Sequence, residues 1–171
     1  EALRLAGDIE KKAEIYHTLS IMKMIETRYD EAIEIGLRGL ELFGIEIDTN
    51  PVKLVELLKN EKRILDEYLK DLSVEKILNM PLAGDQDKLK YIQQMQILAG
   101  VFFHSNNHAG FLYLSLRALR IIFEHGMIAS ACSCLTTCAY LLIGHWEEYE
   151  PARILGEAGY VLSRKYGRQS G

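Results

Sequence analysis

The chain has 171 residues, of which 49% are hydrophobic and 26% charged, and its net charge is −4. This is ordinary globular composition, and a chain of this length can bury a core without disulfides or bound metal. Acidic and basic residues are interleaved, which argues against the clustered positive surface that nucleic-acid binding requires. Cys132, Cys134 and Cys138 are odd in number and crowded together, which indicates a reducing cytoplasm rather than a secreted disulfide framework.

The two ends of the sequence resemble cut edges. Glu1 to Gly7 has the pattern of the last turns of a helix closed by glycine, and no basic and apolar signal-peptide pattern is found. Residues 167–171 are polar and glycine-bearing, as in a linker. We therefore expect the chain to be a segment of a larger protein.

Helical signals dominate the first part of the chain, and strand-like alternation is nearly absent. Asp8 is predicted to cap a helix that runs to about Thr27, and a second helix is predicted over about 30–43, ending at Gly44. Because the turn at 28–29 is so short, the two helices must pack antiparallel.

The next helix is predicted to begin at Pro51, with Thr49 or Asn50 as its cap. One face of this helix is charged and is expected to be solvated, and the other is an apolar stripe. Ser73 is predicted to cap a short helix that ends near Met80, followed by a loop at 83–85. The stripe contains Val52, Leu54, Val55, Leu58, Ile64, Leu65 and Tyr68, and further helices are predicted at about 86–104, 107–125, 127–143 and 148–166.

Charge is scarce in the second half of the chain. Between residues 91 and 146 only Arg117, Arg120 and Glu124 carry a formal charge, so we expect these helices to be covered on two sides. Segment 127–144 carries none and is marginally long enough to span a membrane. Its hydroxyl and thiol side chains and its non-basic flanks favour a buried helix instead.

A pattern of small residues recurs along the sequence. Tyr29 and Ala32 recur as Tyr149 and Ala152, and the pair Gly36 and Gly39 recurs as Gly156 and Gly159. Small residues allow two helix backbones to approach closely. In a degenerate middle copy, Met95, Leu98 and Ala99 match Tyr16, Leu19 and Ser20, while Ser115 and Ala118 match the glycines. In the last copy the first helix is aligned through Cys132, Leu135 and Thr136, with 144–147 as extra turn residues.

This set of residues resembles the tetratricopeptide repeat, although that family usually has Gly at the place of Ser20 and a large aromatic at Gly36. The resemblance implies an all-α fold of antiparallel helical hairpins stacked as a right-handed solenoid. The expected domain is 1–171, with hairpins at about 8–44, 86–125 and 127–166 and an irregular inserted pair at 51–80. The structural repeat residues are Tyr16, Leu19, Tyr29, Ala32, Gly36, Gly39, Tyr149, Ala152, Gly156 and Gly159.

A narrower resemblance covers nearly the whole chain. It is carried by residues 15–19, 29–33, 39–45, 77–81, 111–126 and 149–166, with a long charged helix between the third and fourth segments. The order looks like a helical region of large bacterial signalling proteins that join a serine/threonine kinase domain, an ATPase module and a sensor histidine kinase. In that family the region follows the ATPase, which implies regulatory scaffolding or effector sensing. This chain contains neither a phosphate-binding loop nor a kinase catalytic loop, so we expect it to be non-catalytic.

The resemblance also implies a binding surface, because tetratricopeptide solenoids bind partners on the concave face lined by the first helix of each hairpin. A peptide or helix bound there would use apolar anchors and amide hydrogen bonds. For Ile21, Met24 and Phe103 the alternative is plain core packing. The groove residues predicted by repeat register are His17, Ile21, Met24, Gln93, Gln96, Phe103, Thr137 and Tyr140, together with Ser133.

The cysteines are the first group with conceivable chemistry. Cys134 and Cys138 share a helix face, Cys132 is near, and His145 could be a further metal ligand. Structural zinc sites have tighter cysteine pairs, and small buried thiols are common in crowded helices. We therefore predict core packing rather than a metal site.

The histidines are the second group. His104 and His108 could ligate a metal on one continuous helix, but the intervening Asn106 and Asn107 are predicted to break it into an inter-helix turn. His17 lies near Glu14 without a neighbouring nucleophile, which gives no support to acid–base catalysis. We predict no metal and no cofactor.

These features favour a cytoplasmic, non-catalytic interaction or regulatory scaffold module of a multidomain signal-transduction protein. The expected partners are a protein, a peptide or neighbouring domains of the parent chain, without nucleic acid and without a membrane span. Uncapped ends of a repeat stack would also allow self-association. One alternative is a small-molecule effector sensor with a pocket in the 91–146 region, and another is a metal-dependent enzyme.

Overall fold

The computed structural model describes residues 8–84 and 90–167. Within these ranges the regular structure is helical, as predicted, and the extended pairing is limited to one isolated bridge between Leu82 and Met127. The predicted helix end at Gly7, the start of the helix predicted at 86 and the tail after 167 lie outside the described residues. The helices are α1 Ile9–Ile25, α2 Tyr29–Glu41, α3 Pro51–Leu69, α4 Val74–Leu78, α5 Tyr91–His104, α6 His108–His125, α7 Ala131–Trp146 and α8 Tyr149–Gly167.

Three predicted caps are confirmed at helix starts. The Asp8 carboxylate accepts a hydrogen bond from the Lys11 N–H at 2.7 Å, and the Ser73 hydroxyl accepts one from the Lys76 N–H at 3.1 Å. For α3 the cap is Asn50, whose Oδ1 accepts from the Val52 N–H at 3.0 Å. Such caps satisfy backbone donors that have no partner inside the helix, and each stabilises its helix by about 1 kcal/mol.

The start of α7 was predicted at 127, and this prediction is wrong. The Met127 N–H donates to the Pro81 carbonyl at 2.8 Å, and the Met127 carbonyl accepts from the Ala83 N–H at 2.9 Å. Gly126 enters this pairing with φ +105°, and the Pro81 carbonyl oxygen lies 2.7 Å from where its Cβ would be. Backbone pairing with 81–83 thus holds Met127 in an isolated bridge, and α7 begins only at Ala131.

The described chain forms two compact units. Unit 1 contains residues 8–58 and 90–114, and unit 2 contains residues 59–84 and 115–167. Helices α3 and α6 contribute residues to both units. No described helix combines the length and the apolar character that crossing a lipid bilayer requires.

In unit 1, helix α1 packs against α2, and α5 contacts both of them. Tyr16 Cβ lies 3.1 Å from where a Cβ at Gly39 would be, and Ser20 Oγ lies 3.3 Å from the same point at Gly36. The later residue of α1, Ser20, contacts the earlier glycine of α2, Gly36, so these two helices run antiparallel. The Ser20 hydroxyl is buried and donates to the Ala32 carbonyl at 2.9 Å, which satisfies this buried polar group.

In unit 2, helix α8 packs against α7 and α4. Thr136 Cγ2 lies 2.8 Å from where a Cβ at Gly159 would be, and Ala139 Cβ lies 3.8 Å from that point at Gly156. These two helices also run antiparallel. Thr136 therefore faces Gly159 as Tyr16 faces Gly39 in unit 1.

This pairing corrects the alignment of the last repeat copy. The alignment matched Thr136 to Ser20 and placed 144–147 in the turn, but α7 continues through Trp146. The helix ends at Glu147, which adopts the left-handed conformation at φ 56°, and the Glu148 N–H donates back to the Leu142 carbonyl. The prediction was wrong by one helical turn because the glycine and histidine at 144 and 145 were interpreted as turn residues.

The charged face of α3 is solvated as predicted, but the predicted apolar stripe is only partly buried. Leu54 and Leu65 are buried as predicted, yet Val52 of the apolar stripe is 67% exposed. Glu61 and Lys62, which were not part of the predicted stripe, lie one turn from Leu58 and Leu65 and are only 4% and 7% exposed. Both charges are paired within unit 2, as buried charges must be.

The partners of these charges lie far away in sequence. The Arg120 guanidinium bonds both Glu61 and Glu124. Burial acts to lower the pKa of Arg120, but the two carboxylates outweigh it and raise that pKa above its ordinary value. The Lys62 ammonium bonds Asp66, lies 2.6 Å from a Glu148 carboxylate oxygen, and stands 5.3 Å above the centre of the Trp146 ring.

Candidate functional site

Unit 1 contains an open pocket of about 330 Å³ between the first half of α1, the residues after α2 and the start of α5. Two of the predicted groove residues, His17 and Gln93, line it. We refer to it as the α1–α5 pocket. Its lining consists of Glu10, Ala13, Glu14, His17, Thr18, Phe43, Lys90, Gln93 and Gln94.

Gln94 connects the three helices around the pocket. Its side chain is 3% exposed, and its amide Nε2 donates to the Gly36 carbonyl of α2 at 3.2 Å. Its Oε1 lies 3.2 Å from Nδ1 of His17 on α1. Nε2 also lies 3.0 Å from where a Cβ at Gly39 would be, so both glycines of α2 make room for this amide.

The orientation of the Gln94 amide determines how His17 hydrogen-bonds. A carbonyl can only accept, so the group facing Gly36 must be the NH₂ and the group facing His17 must be the oxygen. His17 Nδ1 therefore carries the proton in the neutral ring. Nε2 is then an acceptor, and within the described residues it has no hydrogen-bond partner.

Of the charged side chains at the rim of the pocket, two form an ion pair and the third does not. The Lys90 ammonium lies 2.9 Å from a Glu10 carboxylate oxygen, and both side chains are partly exposed. Glu14 is exposed, and in the described part of the chain its carboxylate has neither an ion pair nor a hydrogen bond. Among the described lining residues, the Glu14 carboxylate is thus the one negative charge without an ion-pair partner.

Neutral side chains complete the pocket. The Thr18 hydroxyl donates to the Glu14 carbonyl at 2.9 Å, which leaves its oxygen able to accept. The Gln93 side chain is exposed and makes no hydrogen bond within the described chain. Phe43, whose ring centre is 5.7 Å from that of Tyr91, provides an aromatic wall.

The other groove residues of unit 1 do not line this pocket. Ile21, Met24 and Gln96 are half-buried. Phe103 is exposed on one side and packs edge-on against Phe111, with ring centres 5.2 Å apart. The structure brings His17 and Gln93 together, and a wider groove through the remaining four residues stays a prediction.

The predicted groove residues of α7 belong to unit 2. Tyr140 is 70% exposed, Ser133 is exposed, and Thr137 is half-buried. Tyr140 is followed one turn later by exposed Ile143. Their accessibility is compatible with a binding role, which nothing in unit 2 tests.

Two of the three cysteines are core residues, as predicted, and Cys132 is half-buried. Cys134 and Cys138 are buried, and burial raises the pKa of the Cys134 thiol to about 12 and that of Cys138 well above its ordinary value. The Cys138 thiol donates to the Ser115 carbonyl at 3.3 Å. Thiols held protonated in this way are poor nucleophiles. Residues 8–84 and 90–167 contain no cluster of three or more His, Cys, Asp or Glu side chains suited to holding a metal ion.

The predicted turn between His104 and His108 is confirmed. Asn106 has φ 63°, and the Asn107 Oδ1 accepts from the Gly110 N–H at 3.0 Å to cap α6. The His104 ring stacks on Tyr29, with centres 6.2 Å apart. The two histidines therefore lie on different helices, and His104 has a packing partner.

Sequence reasoning missed most of the α1–α5 pocket. Gln94, Glu14, Phe43 and Lys90 were not assigned to a binding surface, although Gln94 gave a signal as a long amide among apolar residues of a helix. Comparison of this chain with protein-family models, with curated proteins and with solved structures finds no match.

Proposed function

We propose that this chain is a non-catalytic protein-interaction or regulatory scaffold module of a multidomain signal-transduction protein, and that it binds peptide segments in the α1–α5 pocket. One observation carries this proposal. His17 and Gln93, chosen from repeat register alone, line the same open pocket. The pocket combines an aromatic wall with polar groups that have no partner in the described chain, which suits peptide recognition.

The proposed architecture is a tetratricopeptide-like right-handed solenoid of stacked hairpins. The contact of Gly39 with Tyr16 in unit 1 and that of Gly159 with Thr136 in unit 2 support it, because repeated hairpins should repeat their closest backbone contacts. The long α3 and the short α4 are then the irregular pair inserted between copies.

The proposed context follows from the sequence resemblance. A helical region beside the ATPase of a cytoplasmic kinase–ATPase–histidine kinase protein would bind neighbouring domains or a separate protein. The buried, protonated thiols are consistent with a reducing compartment. Nucleic acid is not an expected partner, because the net charge is −4.

Selection from a random heptapeptide library on the immobilised full chain tests the proposal. Enriched peptides should bind Gln93→Arg at least about tenfold more weakly, because a long cation would fill the pocket. Asn79→Arg, at an exposed position of unit 2, is the matched control and should bind like the parent chain. If no peptide is enriched, or if both variants bind the peptides equally, the proposal is wrong.

A small-molecule effector sensor is the second candidate. The pocket volume of about 330 Å³ falls at the lower end of the range for small ligands, and Gln93 and Gln94 belong to the region where a ligand pocket was predicted. A metabolite that binds there should raise the melting temperature of the parent chain and not that of Gln93→Arg. Equal stabilisation of both chains would contradict a sensor role for this pocket.

A further inference from the structure

The geometry points to the guanidinium group of an arginine side chain, carried by a peptide partner, as the group that the α1–α5 pocket accepts. This inference rests on the proposed function, because it assigns a chemistry to the partner at the same pocket. It depends on three features. They are the acceptor that His17 presents to the pocket, the ion pairing of the charges at the rim, and the aromatic wall at Phe43.

The first feature is that the pocket presents acceptors. Gln94 is held by the Gly36 carbonyl, so its oxygen faces His17 Nδ1 and leaves Nε2 as a lone-pair acceptor. The Thr18 hydroxyl proton is already donated to the Glu14 carbonyl, so Thr18 can offer its oxygen to a ligand. A ligand group that hydrogen-bonds to His17 Nε2 and to Thr18 must therefore bring donors.

The second feature is the remaining charge. Glu10 neutralises Lys90 at 2.9 Å, whereas the Glu14 carboxylate is unpaired within the described residues. A cation would donate a charge-assisted hydrogen bond to the Glu14 carboxylate, and an anion would be repelled. Together with the acceptors, this selects a cationic donor.

The third feature distinguishes arginine from lysine. Glu14 and His17 are three residues apart on α1 and are therefore surface neighbours about 5–6 Å apart at Cβ. The fork of a guanidinium can donate to two separated acceptors at once, whereas an ammonium is a compact point donor. Phe43 and the Gln93 amide flank the same space, and a planar guanidinium stacks well on an aromatic face.

The test is an NMR titration of the full chain with N-acetyl-arginine amide at pH 8. Signals of the Gln93 side-chain amide and the His17 ring should shift together and saturate. The citrulline analogue has similar shape without the charge, and it should bind about tenfold more weakly. N-acetyl-lysine amide should lie between the two.

Matched variants identify the charge responsible. Glu14→Gln keeps the shape of an exposed side chain and should weaken arginine-amide binding about tenfold. Glu46→Gln changes an exposed glutamate outside the pocket and should leave binding unchanged. Dispersed amide spectra verify that both variants are folded.

Three results would overturn the inference: equal binding of arginine and citrulline amides, no effect of Glu14→Gln, or shifts confined to residues outside the pocket. Peptide selection keeps this failure separate from failure of the proposed function. Enriched peptides that compete for the pocket but carry no arginine preference would remove the guanidinium assignment and leave the interaction module standing.

Discussion

Gly36 in unit 1 and Gly156 in unit 2 occupy the same position of the repeat pattern but have different surroundings. A Cβ at Gly36 would lie 2.9 Å from Leu98 Cδ1 and 3.6 Å from the Gln94 amide, both on α5. At Gly156 the nearest described atom is Ala139 Cβ at 3.8 Å, and the residue is half-buried. The first glycine is required by a third helix, whereas the second has room for a side chain. Glycines at equivalent positions of a repeat pattern are therefore not under the same packing constraint.

Leucine substitutions give the largest contrast between the two glycines. Gly36→Leu should lower the free energy of unfolding by about 3 kcal/mol, because the side chain must displace Leu98 and Gln94. Gly156→Leu should change it by less than about 1 kcal/mol, since the gain in helix propensity offsets any local crowding. Urea unfolding followed by circular dichroism measures both. Equal destabilisation of the two variants would show that Gly156 is as tightly packed as Gly36.

Removing the Gln94 amide tests what fills the space at Gly36. Gln94→Leu should destabilise the chain by about 1–2 kcal/mol, because two hydrogen bonds are lost in a buried place. It should also change the His17 ring signals, since Nδ1 loses its acceptor. Gln93→Leu, one position away and exposed, is the control and should leave both stability and the His17 signals unchanged. An unaltered His17 spectrum in Gln94→Leu would contradict the proposed hydrogen bond.

The second glycine of each pair should behave alike in the two units. Gly39→Ala brings a methyl to 3.0 Å from Gln94 Nε2 and 3.1 Å from Tyr16 Cβ, and Gly159→Ala brings one to 2.8 Å from Thr136 Cγ2. After the helix-propensity gain, each variant should lose about 1 kcal/mol of stability in urea unfolding. If one substitution is neutral and the other costly, the two antiparallel contacts are not equivalent, and the repeat interpretation is weakened.

Gly156→Ala is the smallest effect and has the opposite sign. A methyl there meets only ordinary contact at 3.8 Å, so the helix-propensity term should stabilise the chain by about 0.5–1 kcal/mol. Thermal unfolding by calorimetry should show a rise in melting temperature. A fall would mean that the half-buried surface of α8 is more crowded than the structure indicates.

Local features of the fold were predictable and distant ones were not. The caps at Asp8 and Ser73 follow from residues within one turn of each other. The late start of α7 depends on Met127 pairing with the backbone at 81–83, and no local pattern encodes that contact. The ion pair that accompanies the burial of Lys62 likewise involves Glu148, far along the sequence, and the apolar stripe of α3 gave no sign of that partner.

The candidate site was predictable only as far as the repeat register reached. The repeat register placed His17 and Gln93 on the first helix of their predicted hairpins. The two side chains line one pocket. The register could not identify Gln94, because this buried residue hydrogen-bonds to the Gly36 carbonyl on another helix. Phe43 was missed for a related reason, since it follows α2 and reaches the pocket only through tertiary packing.

Trp146 is the single tryptophan of the chain, and the Lys62 ammonium stands 5.3 Å above its ring. An indole with a cation on its face should emit differently once that cation departs. The tryptophan fluorescence of the unlabelled protein therefore reports on unit 2 alone, while circular dichroism averages over helices of both units. If urea unfolding curves followed by tryptophan fluorescence and by circular dichroism coincide, the two units unfold in one cooperative step. This optical measurement requires no introduced dye.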